Sequence, residues 1–131
     1  MASNYTGWLL PDHERHRLLA MFPPLFPEVV AHHITERFPA PRIVSLPDAQ
    51  TAEVVGYSTD GISVECLIVA INGSTERPDG KTYHITWSLD RTKGGRPFKS
   101  NLVIQNLGVT GLTPPVRIKI VPQLFETQDA A

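Results

Sequence analysis

Two identical tripeptides are the residues of this sequence best suited to chemistry. His33-Ile34-Thr35 and His84-Ile85-Thr86 each lie in a segment rich in strand-forming residues. In a β-strand, residues two apart share a face, so each copy presents an imidazole beside a hydroxyl and turns its isoleucine to the opposite face. A repeat of all three residues favours shared chemistry or duplication over chance.

Paired imidazoles and hydroxyls suit cleavage of a phosphodiester without a metal. If the two strands lie side by side or across a local twofold axis, His33 and His84 flank one space. One neutral imidazole takes a proton from the attacking hydroxyl or water, and the other, as imidazolium, donates a proton to the leaving oxygen. The hydroxyls of Thr35 and Thr86 then donate hydrogen bonds to the non-bridging oxygens. Free imidazole has a pKa near about 6.5, so both protonation states are accessible around neutrality.

Three further residues are candidates for substrate binding. Arg37 shares the predicted face of His33 and Thr35 and supplies a cation at its edge, and Ser88 shares the face of His84. The ring of Tyr5 offers a surface on which a base could stack. Each has a structural alternative, because Arg37 could pair with an acidic side chain and Tyr5 could belong to the core.

Structural roles are also open for the motif residues themselves. The two histidines could be hydrogen-bonded, partly buried strand residues, and the threonines could be plain strand formers. Metal binding is disfavoured, because no H-x-H or H-x-x-E-H spacing occurs and strand alternation points the adjacent His32 and His33 to opposite faces. We therefore predict neither a metal site nor a cofactor.

The elements that must position these residues predict an α+β fold with a mainly antiparallel sheet. One helix runs from its cap at Asp12 to the Pro-Pro pair at 23–24, and a second covers 97–107 and ends at Gly108. The predicted strands are 5–10, 28–38, 51–57, 62–71, 82–89 and 116–125. Strands 51–57 and 62–71 form a predicted hairpin across 58–61, because the pair Asp60-Gly61 suits a tight turn. Pro122 predicts that the last strand is an edge strand.

Composition limits the classes of function. The chain has 131 residues, 41% of them hydrophobic, and a formal net charge of -1, which is typical of one domain over 1–131. Its single cysteine, Cys66, excludes an internal disulfide and a multi-cysteine metal site. The charge argues against binding to long duplex nucleic acid, and no apolar run is long enough to span a membrane. We expect a soluble, cytoplasmic protein.

The two motifs resemble the signature of the two-histidine (2H) phosphoesterases, in which two H-x-[ST] strands lie several tens of residues apart. The run from Tyr5 through Thr35 is further similar to the small RNA-repair-like branch of that superfamily, which includes phage hydrolases of cyclic-nucleotide immune signals. The resemblance implies a compact bilobal fold with two helices around a central cleft. It also implies metal-independent opening of 2',3'-cyclic phosphates, cleavage of 2'-5' linkages or hydrolysis of cyclic oligonucleotides.

The expected substrate is thus a small nucleotide or a short RNA. The rival hypothesis is a non-catalytic nucleotide-binding or protein-interaction domain that has the cleft but no activity. The presence of both histidines and both threonines favours the enzyme.

Overall fold

The computed structural model describes residues 3–40 and 45–127, and this part of the chain is an α+β fold of eight strands and two α-helices. The strands are β1 (Ser3–Leu9), β2 (Glu28–Val29), β3 (His33–Arg37), β4 (Thr51–Thr59), β5 (Val64–Ala70), β6 (His84–Leu89), β7 (Thr110–Lys119) and β8 (Val121–Thr127). The helices are α1 (Asp12–Met21) and α2 (Lys99–Leu107), with a short 3₁₀ turn at Arg91–Lys93. Every paired strand runs antiparallel to its neighbour. The predicted α+β class with a mainly antiparallel sheet is confirmed.

None of the described helices combines the length and the apolar character needed to cross a membrane.

The sheet is curled, and its two edge strands are consecutive parts of one segment of chain. Its strand order is β7-β4-β5-β6-β3-β1-β8, with the short β2 also pairing to β6. β7 and β8 stand at opposite ends of this order, yet only Ile120 separates them along the chain. Lys119 pairs with Thr51 of β4, whereas Val121 pairs with Leu9 of β1. The prediction of a single strand over 116–125 is therefore wrong, because one extended segment changes partners at Ile120.

The main core lies inside the curl. Trp8, Ile34, Ile85 and Trp87 turn their side chains into it and are almost completely buried. Leu18 of α1 packs into the same cluster. By area bookkeeping, full burial of a large apolar side chain stabilises a fold by roughly 1.5–3 kcal/mol, so these positions hold the motif strands in place.

Helix α2 covers the opposite face of β5. Cys66 and Ile68 alternate along β5 with core residues and pack against Ile104 of α2. Val103 of the same helix packs against Val64 and Leu89. Since both of its faces are covered, β5 is buried along its whole length. This agrees with the apolar sequence of the strand.

The predicted continuous strand over 28–38 is broken in the structure, which is a correction. The amide of Ala31 still donates to the carbonyl of Thr86 at 3.0 Å, but Ala31 has a φ of 45°, in the left-handed region. The register against β6 consequently differs before and after it, with Val29 opposite Ser88 and Ile34 opposite Ile85. The chain bends at Ala31, and a separate strand, β3, begins at His33.

The predicted hairpin between β4 and β5 is present. Its turn is held by the Asp60 carboxylate, which accepts hydrogen bonds from the amides of Ile62, Ser63 and Val64. These donors lower the pKa of Asp60 to about 2, although burial acts in the opposite direction.

Candidate functional site

The two tripeptides lie on neighbouring antiparallel strands. Ile34 of β3 pairs with Ile85 of β6, so the central residues of the two copies are direct partners. An antiparallel pair has a local twofold axis between its strands, and here the axis passes between these isoleucines. The repeated sequence is thus also a repeated geometry.

Continuing this register by one residue in each direction places His33 across from Thr86 and Thr35 across from His84. Because Ile34 and Ile85 point into the core, strand alternation puts the four polar side chains on the other face of the sheet. Side chains on diagonal positions of an antiparallel pair lie roughly 7–8 Å apart, which is the relation between the two histidines.

The His84 side chain is hydrogen-bonded to the backbone just before β6. Its Nδ1 lies 2.8 Å from the carbonyl oxygen of Thr82, and since a carbonyl only accepts, Nδ1 carries the proton. The neutral ring therefore has its lone pair at Nε2. The side chain is 7% exposed, and burial is the main reason why the pKa of His84 falls to about 4. The positive charges of Arg77 and Lys81 lower it further, against the opposing effect of the Thr82 carbonyl.

His33 sits in an aromatic environment at the other side of the axis. Its Nε2 lies 3.4 Å from the Tyr5 hydroxyl, and its ring centroid is 5.2 Å from that of Phe125. Burial lowers the pKa of His33 to about 4, and the charges of His32 and His84 lower it further.

His32 is part of this site, contrary to the sequence prediction. Its Nδ1 lies 3.0 Å from Nδ1 of His33, where alternation predicted opposite faces. The left-handed Ala31 explains the difference, because the chain is bent immediately before the two histidines and is not a regular strand there. His32 is exposed, so it connects His33 to solvent. Burial lowers the pKa of His32 as well, as does the charge of Arg15.

The two threonine hydroxyls have different surroundings. Thr86 is hydrogen-bonded through Oγ1 to Oγ of Ser100 at 2.9 Å, and Ser100 on α2 is fully buried. Within the described ranges no hydrogen bond engages the Thr35 hydroxyl, although Thr35 is 6% exposed. Gly7 of β1 lies opposite Thr35, and an added Cβ there would collide with the Ile34 carbonyl oxygen. Glycine at this position allows β1 to approach the motif strand closely.

The three predicted substrate-binding residues occupy different places. Tyr5 is 5% exposed and stacks on Phe125 at 4.8 Å, so its ring is not available to a base. It contributes its hydroxyl to His33 instead. Ser88 has no exposed surface and donates to the Glu65 carboxylate, which corrects the prediction that it faces substrate.

Arg37 is exposed at the end of β3. The β1–β3 register shifts between Thr6, which pairs with Arg37, and Gly7, which pairs with Thr35. Such a bulge interrupts the alternation of side chains along β3, so alternation no longer places Arg37 on the same face as His33.

Two contributors to the site could not be identified as such from the sequence. Ser100 comes from a helix distant in the chain, and Phe125 comes from the final strand. Neither lies in a pattern that signals chemistry; only contact in three dimensions brings them to the motifs. No cluster of three or more histidine, cysteine, aspartate or glutamate side chains suited to a metal ion occurs among the described residues.

Comparison with known proteins adds no assignment. The chain matches no family model, no curated protein and no solved structure.

Proposed function

We propose that this protein is a metal-independent phosphodiesterase of the two-histidine kind, acting on a nucleotide or short-RNA phosphodiester in a cleft between two lobes. The single observation that carries the proposal is the pairing of Ile34 with Ile85, which relates two identical His-Ile-Thr units by a local twofold axis. Hydrolysis of a phosphodiester places the attacking water and the leaving ester oxygen roughly in line, on opposite sides of phosphorus. Two imidazoles related in this way match the two proton transfers that its hydrolysis requires.

In the proposed reaction His84 is the base. Its Nδ1 proton is committed to the Thr82 carbonyl, so the neutral ring accepts at Nε2 the proton of the attacking water. The water oxygen forms a bond to phosphorus as the bond to the leaving oxygen breaks. His33, as imidazolium, donates a proton to that leaving oxygen. The products are a phosphomonoester and an alcohol, and the two histidines recover their starting states by proton exchange with solvent.

His33 must gain a proton before it can donate one. In the free protein burial holds the pKa of His33 at about 4. A phosphodiester anion between the rings favours the imidazolium by direct attraction and so raises this pKa on binding. His32, which is exposed and within 3.0 Å, supplies a route for that proton. The Thr35 hydroxyl, which has no hydrogen-bond partner among the described residues, donates to a non-bridging oxygen.

The test uses wild type, His84→Asn and His33→Asn, each incubated in EDTA with bis(p-nitrophenyl) phosphate, 2',3'-cyclic nucleotides and cyclic dinucleotides. Wild-type turnover should persist in EDTA. Each histidine variant should turn over the substrates about 10²–10⁴ times more slowly than wild type. The p-nitrophenolate leaving group needs no proton, so His33→Asn should lose less on the nitrophenyl substrate than on the nucleotides. His16→Asn on the exposed side of α1 is the matched control. Tight nucleotide binding without turnover in the wild type would instead select a non-catalytic binding domain.

A further inference from the structure

A cation of helix α1 lies beside the bend that precedes His33 and takes no part in the chemistry described above. Arg15 donates a hydrogen bond from Nε to the carbonyl oxygen of Ala31 at 3.1 Å. That carbonyl belongs to the peptide group that joins Ala31 to His32, and Nδ1 of His32 lies 3.0 Å from Nδ1 of His33. The Arg15 guanidinium is therefore bonded to the same turn of chain that carries these two histidines.

The terminal nitrogens of Arg15 are not engaged by the part of the chain that the structure describes. Its side chain makes one hydrogen bond there, from Nε, and no ion pair within 3–40 and 45–127 includes it. The adjacent carboxylate, Glu14, is already paired with Arg17. Neither Nη atom of Arg15 is among the buried atoms that lack a hydrogen bond, so both reach solvent. All of the guanidinium donors except the Nε–H thus remain open to a ligand.

His32 is held beside this cation and is exposed. Its carbonyl oxygen accepts from the amide of Leu10 at 2.9 Å, and the preceding carbonyl accepts from Arg15. Both peptide groups that flank His32 are therefore fixed by hydrogen bonds. Burial lowers the pKa of His32, and the charge of Arg15 lowers it further. The two groups thus oppose each other as cations in the free protein.

A bound anion would remove this opposition. A negative charge close to both groups favours the imidazolium and pairs with the guanidinium. The fork of a guanidinium matches the oxygens of a phosphate or a carboxylate, and phosphate is the anion of the substrate proposed above. In the proposed reaction the phosphate that is cleaved lies between His33 and His84. A phosphate at Arg15 and His32 is consequently a second one.

We propose that Arg15 and His32 form an anion subsite that binds a phosphate group of the substrate other than the one that is cleaved. The inference rests on the proposed function, because it names the substrate class of the same site: nucleotides with at least two phosphate groups. His33 protonates the leaving oxygen and is the direct neighbour of His32. The second phosphate therefore belongs to the nucleoside that bears the leaving oxygen.

The variant that isolates this role is Arg15→Gln. Glutamine has a side-chain N–H donor as many bonds from Cα as Nε of arginine, so it can still bond to the Ala31 carbonyl, but it lacks the charged fork. Lys93→Gln removes one positive charge from an exposed turn and is the matched control for charge alone. His32→Asn removes the other member of the subsite at an exposed position and serves if Arg15→Gln fails to fold.

The first measurement is the Kd of adenosine 3',5'-bisphosphate and of 3'-AMP by calorimetry. The additional phosphate should tighten binding to wild type and to Lys93→Gln by about 10-fold or more, and to Arg15→Gln and His32→Asn by much less. The second measurement is kcat/KM for adenosine 2',3'-cyclic phosphate with and without a 5'-phosphate. Wild type should prefer the 5'-phosphorylated substrate by a similar factor, and Arg15→Gln should lose that preference.

Equal Kd values for the bisphosphate and the monophosphate in wild type would overturn the inference. A gain from the additional phosphate that persists in folded Arg15→Gln and in His32→Asn, or that falls equally in Lys93→Gln, would also overturn it. If no substrate, including bis(p-nitrophenyl) phosphate, is turned over but the bisphosphate still binds more tightly through Arg15, the anion subsite stands and the phosphodiesterase proposal fails. If turnover occurs with no effect of the 5'-phosphate on Kd or kcat/KM, the phosphodiesterase stands and the subsite fails.

Discussion

The burial of His84 makes the stability of the protein depend on pH. Its pKa is about 4 in the folded protein and near about 6.5 in an unfolded chain. Between these values the unfolded state binds more protons than the folded state, so stability falls as the pH falls. Going from about pH 7 to about pH 5, this one group lowers the free energy of unfolding by about 2 kcal/mol.

The assay is urea unfolding of wild type and His84→Asn at several pH values from about 7 to about 5. Asparagine can still donate a hydrogen bond to the Thr82 carbonyl but does not titrate, so the loss of stability over this range should be smaller in the variant by about 2 kcal/mol. The carboxylates contribute little here, since the lowered pKa of Asp60, about 2, acts at lower pH. His16→Asn removes an exposed imidazole and should behave as wild type. Parallel pH profiles for wild type and His84→Asn would refute the assignment of a buried, neutral His84.

Three further outcomes follow from the site geometry. Thr86→Val should destabilise the fold by about 1–3 kcal/mol, because the buried Ser100 hydroxyl loses its Thr86 partner and keeps only the weaker contact with the Cys66 thiol. Adding Ser100→Ala should restore most of the loss in urea unfolding, and a fully additive double variant would contradict this. Gly7→Ala should cost about 3 kcal/mol or more, because its Cβ meets the Ile34 carbonyl oxygen of the motif strand, and a wild-type melting temperature would show that β1 can move away. For the proposed phosphodiesterase, kcat/KM should be highest nearer pH 4 than pH 7, because kcat/KM reports the pKa values of the free protein, about 4 for both motif histidines. Circular dichroism checks that the protein remains folded, and an optimum at neutrality would contradict those pKa values.

Local patterns in the sequence were sufficient for several features. The predicted strand over 62–71 contains β5, and the Asp60-Gly61 turn predicted its hairpin with β4. Alternation in the two tripeptides placed each isoleucine opposite its histidine and threonine, and the isoleucines do lie in the core. These features depend on the periodicity of neighbouring residues, which a single sequence displays directly.

Tertiary structure alone decided which strands are partners and where alternation fails. The sequence contained both tripeptides but not the Ile34–Ile85 pairing that joins them. It also could not show the left-handed Ala31 that brings His32 onto His33, or the contact of Thr86 with Ser100. The physical reason is that pairing, bulges and buried hydrogen bonds are set by packing between segments far apart in the chain, whereas residue patterns report only the preferences of each segment by itself.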